Sequence, residues 1–170
     1  MAAGIVLDTS FLITLADPTR GHHETALRYW RHFIEDHIPV FLPTIVVSEF
    51  CVRQPIPPEI LRSCIILPFN WDDAIKTAEL DFKPFKAGGE SRPAIKDDMK
   101  IIAQAAICDA QHVISEDADT LLRYVMQLNE TGKIRVRAIC LREGFDRSLF
   151  DANGQRDFHD ALDAADAEAE

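Results

Sequence analysis

Apolar residues in this chain fall into two kinds of stretch that take turns along its length: short continuous runs, and longer segments with a helical period. The runs at 4–8, 39–42, 64–67, 112–115 and 134–139 have strand length and are rich in Val, Ile and Leu, the pattern of strands buried on both faces. Between them the spacing predicts helices. One begins at Thr9 or Ser10, a second covers 21–37 with Ala26, Leu27, Trp30, Phe33 and Ile34 on one face, and a third starts at Pro43-Thr44 with Thr44 as its N-cap. A helical turn at 59–62 and helices over 71–80, from Asp97 to about 109–111, and over 120–128 complete the series. Asp17-Pro18, Pro55, Pro57, Pro58 and Gly132 punctuate it. Strands that alternate with helices in this way predict an α/β sandwich around a mostly parallel five-stranded sheet.

Size and charge refine this picture. A chain of 170 residues with 47% hydrophobic content suits one domain, placed at 1–150, followed by an acidic, alanine-rich tail at 151–170. In that tail Asp157, Asp160, Asp163 and Asp166 recur every third residue. Six acids follow Arg156, the last basic residue, so the net charge of −10 falls to −4 over residues 1–156. A nucleic-acid substrate is therefore not excluded by charge. No apolar run approaches the roughly 18 to 20 residues of a membrane span, and the N-terminus lacks the regions of a signal peptide, so the expected location is cytoplasmic and no membrane is expected as partner. Cys51, Cys64, Cys108 and Cys140 are widely spaced in apolar contexts and read as buried free thiols.

The chemistry lies in the acids. Asp8 ends the first apolar run, and Asp117 follows the fourth, so both leave strands at the carboxyl edge where open α/β sheets bind ligands. Asp98 opens the helix that precedes the fourth strand, and Glu49 is a lone acid among Val46, Val47 and Phe50. Blander readings exist for each alone: Asp8 as a helix cap, Glu49 facing water or meeting Arg53 four residues on. Together, four carboxylates at one edge repel and raise one another's pKa values, a conflict that a hard dication removes. Oxygen ligands favour Mg²⁺ or Mn²⁺, and the chemistry that follows is metal-assisted phosphodiester hydrolysis. With an acidic pI, grip on a polyanion falls to local cations: Lys83, Lys86 and Arg92 in a loop around Gly88-Gly89, then Lys96, Lys100, Arg135 and Arg137.

Four segments carry a resemblance. LDTSFLI at 7–13, PTIVVSEF at 43–50, DMKIIAQA at 98–105 and VISEDADTL at 113–121 are similar, in order and spacing, to the four motifs of the PIN-domain nucleases, especially the small VapC-type toxins of toxin–antitoxin pairs. The resemblance implies a PIN-like α/β/α sandwich, with Asp8, Glu49, Asp98 and Asp117 as the acidic metal-site residues and Asp119 as an accessory acid. Thr9, Ser10 and Ser115 match supporting polar positions, and Asp97 is the register alternative to Asp98. It also implies Mg²⁺- or Mn²⁺-dependent cleavage of single-stranded or looped RNA, a homodimer, and a cognate antitoxin as partner. The loop at 82–93 and the acidic tail make this chain longer than compact toxins. Alternatives on the same residues are a housekeeping RNA-processing nuclease, a non-catalytic binding module, or a phosphatase with Asp8 as nucleophile; the last lacks the usual second acid, since position 10 is Ser.

Overall fold

Strands of three or four residues sit at the centre of the computed structural model, which describes residues 4–81, 83 and 92–151, the side chains of 92–94 excepted. They are β1 (Ile5–Leu7), β2 (Val40–Pro43), β3 (Ile65–Leu67), β4 (His112–Ser115) and β5 (Arg137–Cys140). All pair in parallel, in the order β3-β2-β1-β4-β5. The expected sandwich with a mostly parallel five-stranded sheet is thus observed, and this sheet is parallel throughout. Central β1 pairs with β2 on one side and with β4 on the other, Ile5 opposite both Val40 and His112. Its three residues are fully buried, as a strand covered on both faces requires. Gly4 leads into it because a Cβ there would lie 2.1 Å from the Phe41 ring.

The helices are α1 (Thr9–Ala16), α2 (His23–Glu35), α3 (Thr44–Cys51), α4 (Pro58–Ser63), α5 (Trp71–Glu79), α6 (Arg92–Ile107) and α7 (Leu121–Glu130). α1 packs on α2 and α3, while α6 packs between α5 and α7. Asn70 caps α5 in a reciprocal box with Asp73, and the buried Gln104 of α6 donates from Nε2 to the Leu67 and Pro68 carbonyls, 3.2 Å each, tying α6 to the end of β3. No helix among the described residues is long and apolar enough to cross a membrane.

Several expectations are corrected. Pro43, not Thr44, is the N-cap of α3; the Thr44 hydroxyl instead accepts from the Phe69 N–H at 3.3 Å, joining α3 to the β3–α5 connection. α6 starts at Arg92, so Asp97 and Asp98 stand in its second turn rather than its first. β3 is the sheet edge and exposes Ile65 and Ile66, so its apolar run does not mark a buried strand. β5 starts at Arg137, because Ile134 and Val136 are buried outside the ladder. Cys51 is exposed. Most of the basic loop at 82–93 and nearly all of the tail at 151–170 lie outside the described residues.

Beyond β5 the chain makes two 3₁₀ turns, Leu141–Glu143 and Arg147–Phe150. Tyr29 of α2 anchors this segment: its hydroxyl donates to the Gly144 carbonyl at 3.0 Å and accepts from the Asp146 N–H at 3.2 Å. Phe145 and Phe150 pack on Tyr29 and His32, and Phe150 also meets His112 with ring centroids 5.5 Å apart. His112 is 1% exposed, and neither ring nitrogen has a hydrogen-bond partner among the described residues. Burial, reinforced by the Arg137 charge, lowers its pKa to about 4. The folded chain therefore refuses a proton that the unfolded chain accepts below about 6.5, and this share of stability is lost as pH falls from about 6.5 to 4. Denaturant titrations across that range should show the His112→Phe variant losing less stability than the parent, by on the order of 1 kcal/mol per pH unit. Parallel pH profiles would remove this account.

Candidate active site

Asp8 leaves β1 and caps α1, its carboxylate accepting from the Ser10 N–H at 3.3 Å. The bland reading of Asp8 as a cap is therefore correct, and it is not the whole role. The same oxygen, Oδ2, accepts from the Ser10 and Ser115 hydroxyls, 2.7 Å each, and those hydroxyls lie 2.9 Å apart. Ser115 ends β4, so residues 105 positions apart in the chain meet because β1 and β4 are neighbours. The backbone joins in. Ser10 Oγ accepts the Glu116 N–H and Ser115 Oγ the Asp117 N–H, 2.9 Å each.

Asp117 begins the turn into α7. Its Oδ1 accepts the N–H groups of Asp119 and Thr120, at 3.0 and 3.1 Å, and its Oδ2 accepts the Thr120 hydroxyl. Glu49, on α3, accepts from the Thr9 hydroxyl of α1. It makes no ion pair with Arg53 among the described residues. Glu49 is exposed as a residue, yet its carboxyl is raised above the usual range, first by burial and then by the charges of Asp8 and Asp97, against the Thr9 hydrogen bond.

Asp98 is the odd member. Its Oδ2 is buried and has no hydrogen-bond partner among the described residues. Burial first, then the negative charges of Asp8 and Asp117, and last that of Glu49, push its carboxyl up to about 7, while the Thr120 hydroxyl opposes the shift. Asp98 of α6 thus feels the charges of Asp8 after β1, of Asp117 in the β4–α7 turn and of Glu49 on α3. Asp97 is different: its carboxylate pairs with Lys100 at 2.9 Å, one turn along the same helix. Asp119 also stands apart, 86% exposed and 3.9 Å from Arg142.

Among the described residues no three His, Cys, Asp or Glu side chains are arranged to hold a metal ion as they stand. The carboxylates of Asp8, Glu49 and Asp117 each accept instead from their own hydroxyl donors. The donor set nevertheless suits a hard dication: carboxylate and hydroxyl oxygens, with one buried carboxylate oxygen unsatisfied.

Other residues expected at the site divide. Lys96 and Lys83 are exposed. Lys100 is engaged with Asp97, and its ammonium lies 5.8 Å from the centre of the Phe69 ring. Arg135 and Arg137 are exposed but precede or start β5, level with His112 and so at the opposite end of the sheet from the acids. Lys86 and the Arg92 side chain lie outside the described residues. Reading the sequence missed Thr120, whose hydroxyl serves Asp117 and lowers Asp98; an Asp-x-x-Thr spacing at the start of a helix is its only local signal. It also missed Arg20 and Thr14, both bonded to Glu116. Burial pushes the Glu116 carboxyl up, but the hydrogen bonds from Thr14 and Arg20 outweigh it and leave the pKa below its usual value. Beside the acids, a groove of about 760 Å³ runs between the ends of α1 and α3, lined by Thr9, Ile13, Glu49, Phe50 and Arg53 among others.

The sequence matches no protein-family model and no curated protein. Comparison of folds is informative. The chain is similar to the DNA-bound VapBC structure from Salmonella typhimurium, at 17% identity and a TM-score of 0.51, over 82% of this chain and 98% of that one. It is also similar to VapC20 from Mycobacterium tuberculosis, described as a Sarcin-Ricin loop cleaving toxin, at 18% identity and a TM-score of 0.50, over 79% and 99% of the two chains. The fold is therefore the PIN-like fold of these VapC structures.

The charge on Asp98 has a measurable cost. Its folded pKa of about 7 exceeds the roughly 3.9 of an unfolded aspartate, so its contribution to stability is present below about 4 and lost as pH rises through 7. With a chelator present, Asp98→Asn should be more stable than the parent at pH 8 by on the order of 2 kcal/mol, and no more stable at pH 4. Equal stability at pH 8, measured by denaturant titration, would show that the acids do not couple.

Proposed function

We propose that this chain is a divalent-cation-dependent endoribonuclease of VapC toxin type, hydrolysing phosphodiester bonds in single-stranded or looped RNA. The observation that carries the reading is the buried, unpartnered Oδ2 of Asp98 amid the charges of Asp8, Asp117 and Glu49. A buried carboxylate left so costs several kcal/mol, of order, unless a cation or proton meets it. In support stand the shared fold and the description of one neighbour as a toxin that cleaves the Sarcin-Ricin loop. The VapBC neighbour supports a cognate antitoxin as protein partner.

Asp8, Glu49, Asp98 and Asp117 would hold Mg²⁺ or Mn²⁺. When bound, the cation neutralises the acids, polarises the scissile phosphate and makes water more acidic at neutral pH. The chain's own residues do the rest. Ser10 and Ser115 fix the Asp8 carboxylate, and Thr120 and two backbone N–H groups fix that of Asp117, so both are oriented in advance. Glu49 and Asp117 would hold the cation through the carboxylate groups that accept from the Thr9 and Thr120 hydroxyls. Asp98, whose carboxyl is raised to about 7 by burial and by the charges of Asp8 and Asp117, would serve as a ligand in its deprotonated form.

The test is cleavage of a set of folded RNA hairpins, one of them a Sarcin-Ricin loop, with Mg²⁺ or Mn²⁺. Asp8→Asn and Asp98→Asn should each lower the cleavage rate at least about 100-fold while the circular dichroism of the parent is kept. Undiminished cleavage by both variants removes the assigned mechanism. Metal binding without cleavage of any hairpin favours a non-catalytic binding module.

A further inference from the structure

Glu116 separates Ser115, which fixes Asp8, from Asp117, and it is a fifth acid beside four that already repel. It does not join them. Its Oε2 accepts from Arg20 Nη2 at 2.9 Å and from the Thr14 hydroxyl, and Arg20 Nε donates to that same hydroxyl oxygen at 2.9 Å. Arg20, Thr14 and Glu116 therefore close a three-membered ring of hydrogen bonds. Each member comes from a different element: the α1–α2 connection, α1 and the β4–α7 turn.

We propose that Arg20 is a positioning residue that, through Glu116 and Thr14, holds the β4–α7 turn and with it Asp117 at the acidic edge. Three observations carry this. Thr14 is fully buried on α1, and its carbonyl lies 3.0 Å from His23 Nδ1 at the start of α2, so the ring is fastened to a rigid part of the fold. The Glu116 side chain is 16% exposed against 39% for Arg20, so the carboxylate end of the pair is largely withdrawn from water and its bonds are charge-assisted. The Glu116 N–H is itself held by Ser10, so the ring fixes one end of the turn through both side chain and backbone. Holding Glu116 to Arg20 also keeps its charge from the four acids. A lysine cannot serve equally, since the fork that reaches Thr14 from Nε and Glu116 from Nη2 belongs to arginine.

The proposal rests on the nuclease reading for its consequence in catalysis, but its structural claim is measurable alone. In Arg20→Met, backbone amide exchange at Asp117, Asp119 and Thr120 should speed about tenfold or more, with the amides of β4 unchanged; exchange unchanged in the turn, or faster throughout the chain, overturns it. Half-saturation by Mn²⁺ on the full chain should rise about tenfold, and kcat on an RNA hairpin should fall about tenfold with KM within twofold. Arg20→Lys should lie between Met and the parent. Glu116→Ala should do as Arg20→Met does, and the double variant should be no worse than either single, because the residues act as one unit; additive losses overturn the proposal. If the parent chain cleaves no RNA and binds no Mn²⁺, the nuclease reading fails, while the exchange rates still decide the role of Arg20.

Discussion

Repulsion among carboxylates at one end of a parallel sheet is the constraint to which the rest of this molecule answers. Asp8 and Asp117 arrive there because β1 and β4 run side by side in the same direction, and Glu49 and Asp98 because α3 and α6 flank the same end. Such a cluster opposes folding, and the chain answers it with hydroxyls instead of cations. Thr9, Ser10, Ser115 and Thr120 all donate to these acids, and none of the four acids is ion-paired to lysine or arginine among the described residues. A hydroxyl orients a carboxylate without cancelling its charge. The acids at this edge therefore keep their charge uncancelled by a side-chain cation among the described residues, as the proposed function requires of a site for a hard dication.

The opposite end of the sheet is built on other terms. There His112 enters β4 against Phe150, and Tyr29, Phe145 and His32 close the face with rings and two hydrogen bonds from the segment after β5. Between the two ends the central strand is wholly buried, and parallel pairing runs from edge to edge of the sheet.

How much of this was legible in the sequence follows from the range of the interactions. β1 and β4 could be read because strands covered on both faces are continuous apolar runs, and the observed bounds of β4 match the run at 112–115. β3 has the same composition and sits exposed at the edge, since a run of Ile says nothing of which strand lies outermost. Asp98 was preferred to Asp97 by resemblance alone; in the structure Asp97 pairs with Lys100 three residues on, while Asp98 is the acid with a buried, unpartnered oxygen. Arg135 and Arg137 are both exposed, but β5 starts only at Arg137, and strand alternation cannot tell which end of the sheet a residue occupies. Arg20 and Glu116 lie 96 positions apart, and no local pattern announces such a pair.

The distribution of cations around the acidic edge has a consequence for substrate binding. Lys100 is engaged by Asp97, Arg20 by Glu116, and Arg142 lies near Asp119, so three positive charges are each matched with a secondary acid. Arg135 and Arg137 stand at the far end of the sheet. On the proposed nuclease reading, the four-acid cluster would repel a polyanion until a dication reversed the local charge. Cation binding and RNA binding would then be coupled in free energy, each favouring the other by the same factor. Selectivity for a cation-loaded site would in this way depend on where the lysines and arginines are spent as much as on where the aspartates converge.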